Sequence, residues 1–587
     1  MRIVQVEIKN FRGIKLMPPW NPSAGVNCLI GPGDSTKTTI LDAIELCLYP
    51  RAYFLADDSD FFNLDVEQPI RIIVTLTDLP VGFTALDRYG HFLRGWNEKK
   101  KQIEDEPKKT EDEPLENPIY ALSIAVEIDK SLEARWSIFN ERIASSGGDP
   151  PNIRYKDVEQ LATSRLGRYA DRHLGWGRNS ILARIANNGG KFTAQLADAR
   201  RAAKTAFQKG DQTAFEETAK KAEKLSKTFA VPVQKGYRAD LDLDATTISS
   251  GGIALHDGGL PLRRLGTGSS RLIVAALQHA AGSPNISLID EIENGLEPHR
   301  IARLLRHLKT PHESATAPPQ VFLTTHSPTV IRELSVGEIF AVRSNDGQTT
   351  ILSVLEKSAD EETAQKHLRA QPEAFLTPRV VVGEGRTELG LVRGLDDWWS
   401  KNNSESLALR GVVPIDGGGK DAALQICVTL LSLDYGVFLL HDTDKLPNQS
   451  LLEQVKQKGG RIEGWQDACS TEERIFLDVP WKTVCELIDY AKQCKGPDSV
   501  LASIHNAAKG CASVSISSLD YSTWNDSLSI RQVLGRAAKG SEKEKTAWFK
   551  DITRGECVGS IIGPYLKEIS QTPLATSLKL LRDWIDA

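Results

Sequence analysis

At 587 residues the chain exceeds what one hydrophobic core usually supports and predicts two to four folding units. Apolar residues at 40% and charged residues at 25% exclude wholesale disorder. A formal net charge of -5 excludes a histone-like basic protein yet leaves room for a local basic groove. No apolar run approaches the ~20 residues that span a bilayer, and the opening MRIVQVEIKN alternates like a strand instead of a secretion signal. No membrane partner is expected. The eight cysteines, among them Cys28, Cys47, Cys427, Cys469 and Cys557, form no CxxC pair, so neither a disulfide framework nor a zinc site is indicated and a reducing cytoplasm fits.

In chain order, IVQVEI and VNCLIG predict two strands, followed by a glycine-containing turn and a helix over TTILDAIELCLY. IRIIVTLTDL, residues 70 to 79, predicts an antiparallel strand with one face buried, so the sheet is expected to be mixed. The run 96 to 117 is highly charged, carries two prolines and predicts an exposed excursion. Residues 155 to 230 are helical by composition, with an amphipathic pattern interrupted at Gly210. Such a segment is either an inserted hairpin or dimerisation arm, or a surface helix pair packed on its own domain. Strands over 286 to 291 and 320 to 325, with a helix at 297 to 309 between them, predict a βαβ unit of a parallel sheet. Polar residues 357 to 376 then separate this half from a new strand, RVVVGE. The expected architecture is α/β: a domain over 1 to 370 with a helical insertion at about 150 to 235, then a domain over 371 to 587 with a parallel sheet and a C-terminal helical extension.

The run Gly31-Pro-Gly33-Asp34-Ser35-Thr36-Lys37-Thr38-Thr39 follows a strand and opens a helix, where backbone N–H groups can wrap phosphates. Lys37 would neutralise the β and γ phosphates of ATP and Thr38 would hold Mg2+. Thr36 stands where such loops carry glycine, which predicts a tighter loop or weaker nucleotide binding; a generic strand-to-helix turn is the other reading. Downstream, Asp290 and Glu291 end an apolar strand, where Asp290 would orient Mg2+ through water and Glu291 would polarise the attacking water. Asn294 to Arg300 resembles the D-loop that contacts a second ATPase protomer, and Thr324-Thr-His326-Ser327 resembles the switch histidine that senses the γ-phosphate. Leu265 to Arg271 lies where ABC and structural-maintenance ATPases carry their signature loop. Gly268 and Ser269 would there face the opposite subunit's nucleotide, or else form an ordinary glycine-rich turn. Asn10-Phe-Arg12-Gly-Ile14 resembles the turn at the nucleotide lobe of the RecF and structural-maintenance families. Arg12 either approaches the nucleotide or packs as a strand-end arginine.

In the last third, Glu384 ends the strand RVVVG and Glu388 follows four residues later at a helix start, so both can face one cation. The apolar strand GVFLL ends in His441-Asp442-Thr-Asp444, with alternate aspartates on one edge. This pairing resembles the Toprim module of topoisomerases, primases and related nucleases, which implies two divalent ions about 3.5 to 4 Å apart. Trp465 to Phe476 resembles a third acidic element, with Glu472 the favoured ligand and Glu473 the alternate; a helix N-terminal acid pair is the ordinary reading. Trp548 to Gly555 resembles the segment in which such nucleases carry a phosphate-stabilising lysine, here Lys550 or a solvated surface lysine.

Both halves in this order resemble the overcoming-lysogenization-defect family, which includes the nuclease subunit of Gabija-type anti-phage systems and effectors of some retrons. The resemblance implies a homodimer or larger assembly and Mg2+ or Mn2+ dependence. It further implies nucleotide-controlled cleavage or nicking of DNA, and an operon-encoded defence partner. The competing expectation is a RecF-type, ATP-operated DNA clamp whose second half binds without cutting. Four mutually repelling acids favour the nuclease. A topoisomerase or primase is weaker, since neither a strand-passage tyrosine region nor a primase zinc finger accompanies the acids.

Overall fold

The computed structural model describes residues 1–48, 56–104, 119–146, 191–228, 233–241, 253–280, 286–311, 318–509, 518–541 and 546–587, with individual residues of 151–182 and 511–516. A 13-stranded sheet forms the first part. It runs from Gln102–Glu104 through Arg94–Asn97, Tyr120–Ile128, Ile70–Thr77, Arg2–Phe11, Ile14–Trp20, Gln348–Ser353 and Ile339–Asn345. It continues through Val26–Ile30, Gln320–Thr324 and Ile286–Ile289 to Ser164–Leu166, and Ala134–Phe139 pairs with Tyr120–Ile128 off this path. The sheet is mixed, as the sequence predicts. Ile70–Thr77 is antiparallel to Arg2–Phe11, whereas Val26–Ile30 lies parallel to both Gln320–Thr324 and Ile339–Asn345.

Burial patterns follow the two environments. Arg2–Phe11 alternates between buried and half-buried positions over much of its length, but every residue of Val26–Ile30 is buried, as befits a central parallel strand covered on both faces. The helix Lys37–Leu48 covers one face with Ile40, Leu41, Ile44 and Leu48. Ile286–Ile289, the helix Pro298–Leu308 and Gln320–Thr324 form the expected βαβ unit, whose helix turns Ile301, Leu304, Leu305 and Leu308 inward.

Three expectations are corrected. Ile14–Trp20 is a strand between the two predicted ones. Its Pro18 and Pro19 mask the pattern, and they are tolerated because the strand pairs with Gln348–Ser353 only at Leu16 and Gln348. The charged excursion begins as a hairpin of Arg94–Asn97 and Gln102–Glu104, while residues 105–118 lie outside the described residues. Residues 155 to 230 contribute an edge strand, Ser164–Leu166, besides the helices Lys191–Lys209 and Thr213–Thr228, which part around Gly210.

A second sheet of four parallel strands follows, in the order Val412–Asp416, Arg379–Gly383, Gly436–His441, Arg461–Gly464. It is not separated from the first by solvent. One buried cluster includes Val26, Leu323 and Ile339 from the first sheet with Phe375, Val380, Val437 and Leu439 around the second. The Arg343 guanidinium lies 3.9 Å from the centre of the Tyr435 ring and donates through Nε to Leu433 O at 3.0 Å. Helices fill the C-terminal part from Thr471 to Asp586. Among the described residues no helix is long and apolar enough to cross a membrane, and all eight cysteines are free thiols.

Candidate nucleotide site and candidate metal centre

Adjacent parallel strands gather their C-terminal ends along one sheet edge, where α/β folds place ligands. Leu29 is opposite Thr324 and Leu323 opposite Ile289, so the Gly31 loop, Thr325-His326 and Asp290-Glu291 leave the sheet side by side. Residues 31 to 36 form the loop. Gly33 and Asp34 are exposed on it, Ser35 and Thr36 are buried, and Thr38 and Thr39 enter the first helical turn. Lys37 folds back over the loop, donating to Gly31 O at 3.0 Å, Pro32 O at 2.7 Å and Ser35 Oγ at 3.1 Å. Burial pulls its pKa down to about 8, against the attraction of Asp34 and Asp290.

Asp290 Oδ1 accepts from Thr38 Oγ1 at 3.1 Å and from Thr324 Oγ1 at 2.7 Å, which joins the loop helix to the acid-bearing strand. Glu291 follows with φ 46° and donates its N–H to Thr324 Oγ1. His326 is exposed. Its backbone N–H donates to Glu293 at 2.7 Å, and burial followed by the Lys37 charge lowers its pKa. Thr36 has φ 68°, the left-handed conformation for which glycine is usual, so the chain keeps the turn with a β-branched residue in it.

Gly268 and Ser269 open the helix Thr267–Ala280 beside the predicted D-loop of the same chain. A methyl group at Gly268 would come 1.9 Å from Gly295 O, and Ser269 Oγ accepts from Arg300 at 3.2 Å. Arg12 is turned to acids of its own lobe, Asp42 at 2.6 Å and Asp60 at 2.9 Å. Its turn does abut the loop, since a methyl group at Gly13 would lie 3.1 Å from Thr36 Cγ2. Sequence reasoning missed Arg271, fully buried, whose Nη2 donates to Asp290 O at 2.9 Å and Glu291 O at 3.0 Å. It was within the quoted signature segment, but only the fold shows that this helix faces the Asp290 strand.

The second sheet repeats the geometry of the first. Gly383 is opposite Leu440, so Glu384 and Asp442 leave adjacent strand ends, and Asp442 N–H donates to Glu384 Oε2 at 3.1 Å. Glu388 lies in the first turn of the helix Arg386–Lys401, its Oε2 accepting from Gly385 N–H at 2.8 Å. Glu472 and Glu473 both open the helix Thr471–Asp478, and the cap separates them. Glu473 closes a capping box with Ser470, while Glu472 turns inward, 2% exposed, and accepts from Thr387 at 3.2 Å. Thr471 ties the cluster together: its hydroxyl lies 2.5 Å from Glu388 Oε1 and 3.0 Å from Asp442 Oδ1. One hydroxyl proton cannot serve two carboxylates.

The electrostatics match. Burial, then the Asp442 charge, raises Glu384 to about 7. Burial and neighbouring acids likewise raise Glu388 and Glu472, and burial raises Asp442. Asp444 differs: burial pushes it up, but the Lys539 ammonium at 2.8 Å brings it below the ordinary value. Glu384, Glu388 and Asp442 line a cavity of about 650 Å³ with Lys495, Lys550 and Arg554. Among the described residues no three His, Cys, Asp or Glu side chains are already arranged as a ligand set. The donors are nonetheless all anionic oxygens, the chemistry that suits Mg2+ or Mn2+, and a divalent ion would relieve their repulsion.

Lys550 reaches this cavity through helix packing. The helix Ile552–Ile562 lies on Arg386–Lys401 through Gly390, Gly394, Gly555 and Gly559, so close that a methyl group at Gly394 would come 2.0 Å from Glu556 O. The paired glycines four residues apart were visible in the sequence, as was the Ser470-to-Glu473 capping pattern. Thr387 and Thr471 carried no comparable signal.

Comparisons with known proteins find partial likenesses and one family match. A RecF DNA replication and repair protein from Prosthecochloris aestuarii is 34% identical over 67 residues, 11% of this chain; the chain spans 18% of that protein's length. Among solved structures, the SMC head domain from Thermotoga maritima is 15% identical with a TM-score of 0.28, covering 60% of this chain and 99% of that one. A Pyrococcus furiosus Smc head domain, solved bound to the C-terminal domain of ScpA, is 12% identical with a TM-score of 0.33, covering 60% and 97%. The family described as "AAA domain, putative AbiEii toxin, Type IV TA system" matches residues 26–332, more than half of the chain, and with its loop, Asp290 strand and Thr324 strand the chain belongs to that family of AAA-type ATPase domains.

Proposed function

We propose that the chain is a nucleotide-regulated, divalent-metal-dependent DNA endonuclease or nickase, built from the ATPase domain of residues 1–370 and a Toprim-like phosphodiesterase domain of residues 371–587. The observation that carries this reading is the meeting of Glu384, Glu388, Asp442 and Glu472 from separate stretches of chain, with Lys550 lining the cavity among them. Acids buried together at this cost have little purpose in a module that only binds. A bound Mg2+ or Mn2+ would activate water and stabilise the leaving oxygen of a phosphodiester. The chain's own residues orient the site: Thr471 and Gly385 N–H aim Glu388, Asp442 N–H aims Glu384, and Lys550 offers positive charge to a phosphate. In the first part, Gly31 to Thr39 would hold ATP, with Asp290 and Thr38 toward its Mg2+, Glu291 toward water and His326 toward the γ-phosphate. Gly268 and Ser269 would act across a homodimer or larger assembly. Work in the cytoplasm as an anti-phage effector, with an operon-encoded partner, follows from the family resemblance.

Two observations favour a second reading, a RecF-like ATP-operated clamp that does not cut. Lys539 already neutralises Asp444, and the 67-residue likeness is to a RecF protein. Supercoiled plasmid incubated with Mg2+ or Mn2+, with and without ATP, separates the two. Nicking by the wild type, lost in Asp442→Ala, is the expected result; unchanged nicking by the variant sinks the assigned site, and no nicking under any condition favours the clamp.

A further inference from the structure

The acids of the candidate metal centre divide by what faces them. Glu384, Glu388, Asp442 and Glu472 face hydroxyls, backbone N–H groups and one another, with the charge of Lys550 acting on Asp442 and Glu472 and that of Lys420 on Glu384. Asp444 faces an ammonium: Lys539 Nζ stands 2.8 Å from Asp444 Oδ2 and 3.0 Å from Glu473 Oε2. Packing holds the lysine there. Its helix, Leu528–Lys539, buries Val533, Leu534, Ala537 and Ala538, and it meets the helix Thr471–Asp478 at Gly535, where a methyl group would come 2.8 Å from Glu473 Cα. Lys539 is the last residue of that helix, and its side chain is 29% exposed. Glu473 is itself held by the Ser470 cap, so one of the two acids that the ammonium bridges is anchored independently of it.

A two-cation phosphodiesterase needs carboxylates for each ion, about 3.5 to 4 Å apart. A second dication at Asp444 would have to break two charge-assisted hydrogen bonds and leave an ammonium beside it in a partly buried site. Resting on the metal-dependent reading above, we infer that this chain holds one divalent cation, among Glu384, Glu388, Asp442 and Glu472, and that the Lys539 ammonium stands where a second cation would. Two of its three N–H donors serve Asp444 and Glu473, and the third is left for a phosphate oxygen.

Mn2+ titration of the nucleotide-free, full-length protein, read by electron paramagnetic resonance, counts the ions that disappear in Asp442→Ala. One Asp442-dependent ion in the wild type, and two with spin coupling in Lys539→Met, is the expected result. Two coupled ions in the wild type, both lost in Asp442→Ala, overturn the inference and leave the metal-dependent reading standing. A single ion in a folded Lys539→Met protein overturns it as well. Mn2+ binding indifferent to Asp442→Ala overturns the reading beneath it. If Lys539→Met does not fold, the wild-type count decides alone, one ion supporting the inference and two refuting it.

Discussion

The two sheet edges use one plan with opposite charge economy. At the first, three acids have named donors: Asp290 has Thr38 and Thr324, Glu293 has Thr325 and the His326 N–H, and Asp42 has Arg12 and Arg165. What faces the loop is a cation, Lys37. At the second, acids converge on one another, and Glu384, Glu388, Asp442 and Glu472 are raised while Asp444 is lowered. A strand-end loop with a lysine suits an anion, and a strand-end acid cluster suits a cation. The same α/β geometry therefore serves both, and side-chain charge alone distinguishes them.

That contrast breaks most sharply by exchange of single residues. Lys37→Ala is expected to abolish ATP binding, measured by nucleotide titration, while Asp442-dependent Mn2+ binding persists. Asp442→Ala should do the reverse and reduce cleavage to background. If either substitution removes both ligands, the sites are not separable and the comparison fails.

Next in size is the packing that brings Lys550 to the acids. Gly394→Ala forces a methyl group against Glu556 O and should cost about 1–3 kcal/mol in denaturation measurements. Cleavage should fall because helix Ile552–Ile562 is displaced, whereas ATP affinity should hold. Wild-type stability in this variant would mean that the glycine contact is not tight in solution.

Much of this was legible beforehand. Strand-to-motif adjacency, the βαβ unit and the second group of acids follow from apolar runs ending in Gly31, Asp290, Glu384 and Asp442, because periodicity marks a buried strand and composition marks its end. The sequence favours Glu472 with Glu473 as the alternate, and which one faces inward depends on the Ser470 cap. What periodicity cannot carry is side-chain partnership across long separations. Arg12 turning to Asp42 and Asp60, Lys539 reaching Asp444 and Arg271 reaching the Asp290 carbonyl all depend on helix and strand placement. The strand Ile14–Trp20 escaped because two prolines in a strand sparsely paired on one side look like a turn.

A smaller effect should separate the two regions by ligand. Divalent ion at about 100 times its dissociation constant stabilises a fold by about 2.7 kcal/mol. Mn2+ without nucleotide should therefore raise the melting temperature by several degrees. The rise should vanish in Asp442→Ala and survive in Lys37→Ala. A rise that follows Lys37 instead would move the ion to the first sheet edge.

The smallest expected effect concerns Thr36, at φ 68° and 7% exposed. A β-branched residue in this conformation costs about 1–2 kcal/mol, and glycine there would relieve it. Glycine also loses more backbone entropy on folding, about 0.5–1 kcal/mol, and forgoes the contact of Thr36 Oγ1 with Thr349 Oγ1 at 3.4 Å. The two nearly offset, so the stability of Thr36→Gly should match wild type to within about 1 kcal/mol. Its ATP affinity should rise by a few-fold, because backbone N–H groups aim at phosphates more readily when the turn is unstrained. Unchanged or weaker binding in isothermal titration would mean that Thr36 does not restrain the loop, and that the chain's departure from glycine is neutral for nucleotide.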